Sequence, residues 1–503
     1  MELELQKERF ECYRPGTPLS LTNEESAETI VPDYCPDIAR IVDVSACLML
    51  RSRGVADGKL TASGSVKLTL LYLAEDTQGL RALEYAIPFE HSAELPDGCC
   101  DAAAEGRVCD VEARLLNPRK LFTRLNIVWK VTPYCKTALT VCGEIVDREK
   151  YAIQTLCEKQ EVSLIRSVGS KDFIFVDELT LPGGREPIAD LLCARAKARV
   201  TEAKSLGSKV VLKGVACLSL LYAAEGGKLC AYSEELPFSQ ILDGAEDNGD
   251  GAVSVTLSLT GSEIHTGEDG RLVTVKLFLN AFVVTRGTES VCCITDLYST
   301  SCDLDARMET VELWQEPEVT TLSQSVREQL DTGTDVKCVL SADVCFGSAG
   351  IRQEGERATL RAAATVSVLY LDESDVPLSL QRRIEVTAET AVSAAAQASI
   401  EEVCAGDITA NINGGGIELR FPADFTLASA SAPSCACLTS LSAEESEAGN
   451  APSLVLRALR EGETLWDVAK QYRTTAEEIL SANELTEASV LEAGRMLLIP
   501  RSR

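Results

Sequence analysis

Three stretches of the chain repeat one alternation of apolar and polar residues: VKLTLLYLAED (66–76), ACLSLLYAAEG (216–226) and ATVSVLYLDES (364–374). In each, apolar residues two apart lead into Leu-Tyr and then an acidic turn, the period of a half-buried strand entering a hairpin. Tyr72, Tyr222 and Tyr370 lie 150 and 148 positions apart, a domain-sized period too long for a thin solenoid. AIPFE (86–90), ELPFS (235–239) and RIEVT (383–387) read as the return strands. A second hairpin follows in each copy, within 114–131, 257–284 and 408–428, turning at Asn117-Pro118, GEDG (267–270) and NGGG (413–416). Gly, Asn and Asp supply the positive φ angles that such turns require. Pro36 and Pro187 stand just before DIARIVD (37–43) and IADLLCA (188–194), where a short helix with proline in its first turn is predicted. TTLSQSVREQLDTGT (320–334) is the divergent counterpart in the third copy.

The pattern predicts a mainly β protein of three tandem antiparallel β domains, residues 1–150, 151–305 and 306–440, each near the usual domain size. The repeated tyrosines are expected in packing, Asp33 and Asp37 as caps of the first short helix, and Arg119 and Lys120 solvated at a turn. LSAEESEAGNAPS (441–453) is small, polar and acidic and reads as a linker.

Beyond residue 453 the period lengthens to that of helices. Thr464 precedes LWDVAKQY with Asp467 three residues on, and Thr475 precedes AEEILSAN with Glu478 three residues on, two capping boxes in sequence. Leu465, Val468, Ala469 and Tyr472 share one helical face, and Ile479 and Leu480 point inward on the next helix. LVLRALRE (454–461) opens the module as a strand, and Gly494 turns the chain into the closing strand RMLLIP, giving β-α-α-β over 454–503.

Charge and cysteine content narrow the function. The net charge of −29 repels polyphosphate and anionic lipid, so nucleic acid is not an expected partner. Residues 454–503 hold seven Lys/Arg and eight Asp/Glu, which places the acidity in the body. The longest apolar run, VVLKGVACLSLLYAA (210–224), is too short to span a bilayer. The opening MELELQKERFECYRPG lacks the basic and apolar regions of a secretory signal, so a cytoplasmic protein is expected. Twenty cysteines without a CxxC pair, and only His91 and His265 beside them, predict reduced, buried thiols and no metal site or cofactor, with oxidative crosslinking as the minority reading. No phosphate loop, GxSxG or HExxH is present, so no catalytic residue is assigned and a non-enzymatic role is expected.

The run EGETLWDVAKQY…TTAEEILSAN…L…AGRMLLIP closely resembles the LysM domain family. That resemblance implies a shallow groove for an N-acetylglucosamine polymer such as peptidoglycan, walled by Gly462, Glu463, Thr464 and Leu465 on one side and by Asn483, Val490, Leu491, Glu492 and Gly494 on the other. Three positions depart from the family pattern: Glu463 for the usual Asp, Arg473 for the usual Gly after the first helix, and Arg457 for an aromatic or His. Trp466 reads either as a sugar-stacking ring or as packing, and its place in the helix favours packing.

PDYCPDI (32–38), the Tyr72 hairpin and LNPRKL (116–121) resemble the SPOCS domain proteins of endospore-forming bacteria, some of which carry a C-terminal LysM domain. The resemblance implies a spore coat morphogenetic protein in the mother cell, at the forespore surface. Its implied partner is the polymerising ATPase of the coat basement layer, with the LysM groove docking protein rather than glycan. A peptidoglycan-binding protein of the wall or cortex is the alternative, and a wall hydrolase a further one.

Overall fold

The computed structural model describes residues 1–75, 79–243, 251–414, 416–445, 453–486 and 492–500. In the first copy, β1 (Leu5–Pro15) and β2 (Leu19–Ile30) are two segments of an outer strand. β3 (Ile38–Ala56), β4 (Lys59–Ala74) and β5 (Leu80–Glu94) then form a meander, and β6 (Cys99–Asn117) and β7 (Lys120–Ile145) a closing hairpin. The second copy repeats the plan with an unbroken outer strand: β8 (Ile153–Thr180), the meander β9 (Asp190–Leu206), β10 (Lys209–Ala223), β11 (Leu229–Asp243), and the hairpin β12 (Val253–Thr266), β13 (Leu272–Ser299). The third has β14 (Cys302–Glu312), β15 (Glu318–Asp331), the meander β16 (Val336–Glu354), β17 (Arg357–Asp372), β18 (Pro377–Ala391), and then β19 (Ala396–Ala405), β20 (Thr409–Asn413), β21 (Gly416–Ser431) and β22 (Ser434–Glu445). A final unit follows, with β23 (Leu454–Ala458), α1 (Leu465–Tyr472), α2 (Ala476–Ala482) and β24 (Met496–Pro500).

Every named strand pairing is antiparallel, and each copy is a sandwich of its meander on a second sheet built around β7, β13 or β21. Period-two sequence explains the layers: along β4, Leu60, Ala62, Val66, Leu68, Leu70 and Tyr72 are buried against Leu125, Ile127 and Trp129 of β7 and their neighbours. The repeated tyrosines are core residues, with exposures of 1%, 0% and 3% for Tyr72, Tyr222 and Tyr370. The expected return strands and second hairpins fall within β5, β11, β18 and the β6–β7, β12–β13 and β20–β21 pairs.

Two expectations are corrected. Residues 37–43 and 188–194 are not helical; they lead into the extended β3 and β9, where β-branched residues and bulges carry the chain through the loop into the sheet. The stretch read as a linker from 441 begins as strand. Leu441 and Ala443 are buried while Ser442 and Glu444 pair outward, so β22 continues to Glu445; the residues from 446 to 452 lie outside the described ones.

Each copy keeps its own core between its two sheets, and further clusters are shared between copies. The C-terminal half of β7 pairs with β1, that of β13 with the first half of β8, and β22 with β14. These three two-stranded stems pack on one another around matching positions: Cys12, Val162 and Leu313; Leu139, Val291 and Cys435; Val141, Cys293 and Cys437. A second shared cluster joins the meanders through Leu71, Leu221 and Leu369, each preceding a repeated tyrosine. Between them lies a cavity of about 1980 Å³ lined by all three copies.

Candidate functional site

The C-terminal unit folds as its capping boxes dictate. The Asp467 N–H donates to Thr464 Oγ1 (3.2 Å) while Asp467 Oδ2 accepts from the Thr464 N–H (2.9 Å). Glu478 N–H donates to Thr475 Oγ1 (3.1 Å) and the Glu478 carboxylate accepts from Thr475 N–H (3.1 Å). Each box satisfies two backbone donors that a helix start leaves open. Val468, Ala469, Ile479, Leu497 and Ile499 form the small core.

That core is completed by the body. Tyr298, near the end of β13, belongs to it, and its hydroxyl donates to Thr474 O (2.8 Å). Trp466 stands edge-on to Tyr298 with ring centroids 4.9 Å apart, and its Nε1–H donates to Asp296 Oδ2 (2.7 Å). Lys470 pairs with Asp296, and Arg473 with Asp303. Trp466, Lys470 and Arg473 lie at helical spacings of four and three, so one face of α1 and its cap makes the contact. Burial would raise the Asp296 carboxyl, but Lys470 and the Trp466 N–H outweigh it and hold the group below its ordinary value. Trp466 is thus half-buried packing. Asp296, Tyr298 and Asp303 carried no sequence signal, because nothing local marks a strand end as a docking surface.

The departures from the family pattern answer one another. Arg457 donates to Glu463 Oε1 (2.6 Å) and to Gln471 Oε1 (2.5 Å), with the Arg457 and Glu463 side chains only 13% and 14% exposed. Glu463 also accepts from the Arg460 N–H (3.1 Å), which together with Arg457 lowers its carboxyl. Arg473 occupies the left-handed region (φ 53°, ψ 47°), the cap conformation that favours glycine.

The two walls expected for the groove meet through Leu459. Its N–H donates to Arg495 O (2.9 Å), and Gly494 N–H donates to its carbonyl (2.8 Å). Gly462 (φ 76°) and Gly494 (φ 86°) use the freedom of glycine to turn both loops. Gly462, Thr464, Glu492 and Gly494 are exposed and Leu465 is half-buried. Asn483 is committed internally: its amide donates to Ile479 O and Leu498 O and accepts from Leu498 N–H, each at 2.7 Å, bracketing α2 to β24. Val490 and Leu491 lie outside the described residues.

A second constellation lies in the first copy. Arg119 Nη1 donates to Cys35 O (2.9 Å) and Asp37 Oδ1 (2.8 Å), and Nη2 to Val31 O (3.1 Å), Pro32 O (3.0 Å) and Asp33 Oδ1 (3.2 Å). The expectation of a solvated turn arginine is overturned, as is that of helix caps for Asp33 and Asp37. The guanidinium fork instead staples the PDYCPD loop, leaving Tyr34 86% exposed at its tip. Two carboxylates in one segment and an arginine in the other were the available signal.

Among the described residues, one group of side chains has metal-ligand proximity: Cys293, Cys435 and Cys437, buried, with their Sγ atoms within 4.8 Å of one another. Valine or leucine holds the matching places in β7, which marks them as aliphatic-type core positions. His91 is committed elsewhere, accepting from Trp129 Nε1–H (2.9 Å) and facing Glu25 at 2.9 Å. No helix among the described residues is long and apolar enough to cross a membrane.

Fold and site together define a mainly β protein with a C-terminal β-α-α-β binding module. The SipL, SPOCS domain family matches residues 37–116, the first meander and nearly all of β6, and the LysM domain family matches residues 459–500. The chain thus carries a SipL SPOCS domain and a LysM domain, both of them binding or scaffold domains rather than catalytic ones. Neither a curated protein nor a solved structure matches it.

Proposed function

We propose that this chain is a non-enzymatic scaffold of the endospore coat, acting in the mother cell at the forespore surface. In this reading the three SPOCS-like copies, divided at 1–150, 151–305 and 306–440, offer protein-binding surface. The LysM groove docks a protein, the morphogenetic ATPase of the coat basement layer. The observation that carries the reading is the seating of α1 on Asp296, Tyr298 and Asp303, which makes the module part of one continuous protein surface instead of a tethered sugar reader. The internal commitment of Glu463 and Asn483 supports it, since neither polar group is free to meet a sugar.

Peptidoglycan binding is the second reading, favoured by the exposure of Gly462, Thr464, Glu492 and Gly494 at the groove. The two are separated by offering the full chain purified basement-layer ATPase and, separately, peptidoglycan sacculi. The scaffold reading expects capture of the ATPase, loss of capture with Glu492→Lys, and a fluorescent fusion that forms a shell at the forespore. Sedimentation with sacculi and no ATPase capture would transfer the function to glycan, and release of labelled fragments from the sacculi would replace both readings with a hydrolase.

A further inference from the structure

Strand β6 of the first copy and β16 of the third meet at two cysteines. Cys345 Sγ lies 3.1 Å from Val108 O, and Cys109 Sγ lies 3.8 Å from Phe346 O, so each thiol reaches the backbone beside the other. Both sit at irregularities in the strand pairing, Cys109 at the break between Val108 and Asp110 and Cys345 just before that between Phe346 and Ala349. Contacts on either side of Cys109 hold β6 to the third copy: Arg107 Nη1 donates to Val403 O of β19 (3.0 Å), and Asp110 pairs with Arg383 of β18 at 2.7 Å. Neither thiol is sealed in the core. Both are only partly buried, and both line the central cavity, whose volume of about 1980 Å³ exceeds that of a small organic disulfide.

Charges of both signs stand beside the pair. Lys197 of the second copy pairs with Asp343, two residues from Cys345 and on the same side of its strand (2.9 Å). Cys345 is held below the ordinary thiol value, first by the hydrogen bond from Cys109 and then by Lys197 and Arg107, against the cost of burial and the nearby Asp343 carboxylate. Cys109 is pushed up, chiefly by that same hydrogen bond and by burial. A thiolate-prone cysteine open to a cavity, with a second thiol poised beside it, has the environment that thiol–disulfide exchange requires. Cys293 and Cys437 contrast with it: they are buried at 0% and 1% exposure, and burial raises both thiols.

We propose that Cys345 and Cys109 form a thiol–disulfide exchange site at which a low-molecular-weight disulfide oxidises the pair and covalently joins the first copy to the third. The Cys345 thiolate attacks one sulfur of the reagent, whose S–S bond breaks, giving a mixed disulfide and one small thiolate that takes a proton from water. Cys109 then loses its proton and attacks Cys345 Sγ, expelling the second small thiolate. Two protein thiols are oxidised and one disulfide is reduced to two thiols. The bond closes the three copies into a ring, tying positions 109 and 345 that are otherwise joined only by the second copy and non-covalent contacts.

The test treats the reduced full chain with hydroxyethyl disulfide, quenches with acid, and maps linked peptides by mass spectrometry. The expected result is a Cys109–Cys345 peptide that appears before Cys293, Cys435 or Cys437 changes. In Cys109→Ala, Cys345 should instead accumulate as the mixed disulfide, and in Cys345→Ala, Cys109 should stay unmodified over the same interval. The wild-type chain provides a readout independent of variant folding: oxidation should raise its urea midpoint, and dithiothreitol should return it. The proposal is overturned if Cys109 and Cys345 stay reduced while the exposed Cys100, Cys157 and Cys404 react, or if either pairs mainly with another cysteine.

Discussion

At the scale of single residues, one arginine does more than its turn position announces. Arg119 reaches three backbone carbonyls besides Asp33 and Asp37, and its geometry is that of a planar fork matched to several acceptors at once. Replacing it with Ala should raise hydrogen exchange across residues 31–38 by about tenfold or more, while β4 stays protected. Lysine should not rescue the loop, because a single ammonium cannot span those acceptors; a loop equally protected in both variants would show that the staple is incidental. Arg473 offers the opposite case, a residue held in a conformation that costs it. In an Asp303→Ala background, where its ion pair is already gone, Arg473→Gly should stabilise the C-terminal module by about 1 kcal/mol in urea unfolding. Arg457 and Glu463 are best read together. Each single alanine variant should lower the module's melting temperature and the double variant by less than the sum of the two, because the shared ion pair is lost in either single while the bonds to Gln471 and the Arg460 N–H are lost separately. Additive losses would mean that the two side chains contribute independently of each other.

At the scale of elements, the docking of α1 is the contact with the clearest consequence. Trp466→Ala removes the ring from Tyr298 and the donor from Asp296, and should cost about 2–3 kcal/mol of docking, below the value of a fully buried tryptophan because this one is half-exposed. The measurement is protease cleavage between the body and the module, which should rise as α1 leaves the body, with the body's own fragments unchanged. The same interface carries a pH dependence. Asp296 has a lowered folded value, so its contribution is present above the ordinary carboxylate range and is lost as pH falls through the still lower folded one. Cleavage should therefore be flat from neutral pH down to about 4 and rise below it.

The element scale also shows why part of the fold was legible and part was not. Meander strands and hairpin turns were readable because alternation survives in β4, β10 and β17. The helices expected after Pro36 and Pro187 arose where it does not. Bulges between Ile38 and Arg40 and between Ile41 and Asp43 space the apolar residues three and four apart, as a helix would, and a bulge at Leu192 does the same in β9. In the C-terminal module the capping residues and core faces were legible because both are local. Which groove residues were already committed was not, since Asn483 meets its partner Leu498 fifteen positions away.

At the scale of the whole molecule, joining three copies around one centre brings charges together that no single copy would tolerate. Asp343 of the third copy pairs with Arg195 (3.5 Å) and Lys197 (2.9 Å) of the second, and Asp43 of the first is close enough to feel both Arg195 and Asp343. The two carboxylates respond in opposite directions. Burial opposes the charge on Asp343, but Lys197 and Arg195 prevail and its folded value is lowered. For Asp43 burial wins over Arg195, Asp343 adds repulsion, and its folded value is raised. Asp343 therefore contributes stability above its unfolded value, lost as pH falls through the lower folded one. Asp43 contributes the reverse, a penalty that grows as pH rises from the unfolded value to the raised folded one. Asp343→Asn leaves Arg195 and Lys197 without their shared counter-charge and should cost about 1–3 kcal/mol at pH 7, less than for a fully buried pair because the side chains keep some solvent. Asp43→Asn should be neutral or stabilising at the same pH and should remove the decline in stability between acid and neutral pH. Urea unfolding of both variants at pH 5 and pH 7 checks the signs. If neither variant changed stability at pH 7, the three copies would be held by their shared apolar clusters alone, and the charges between them would be passengers.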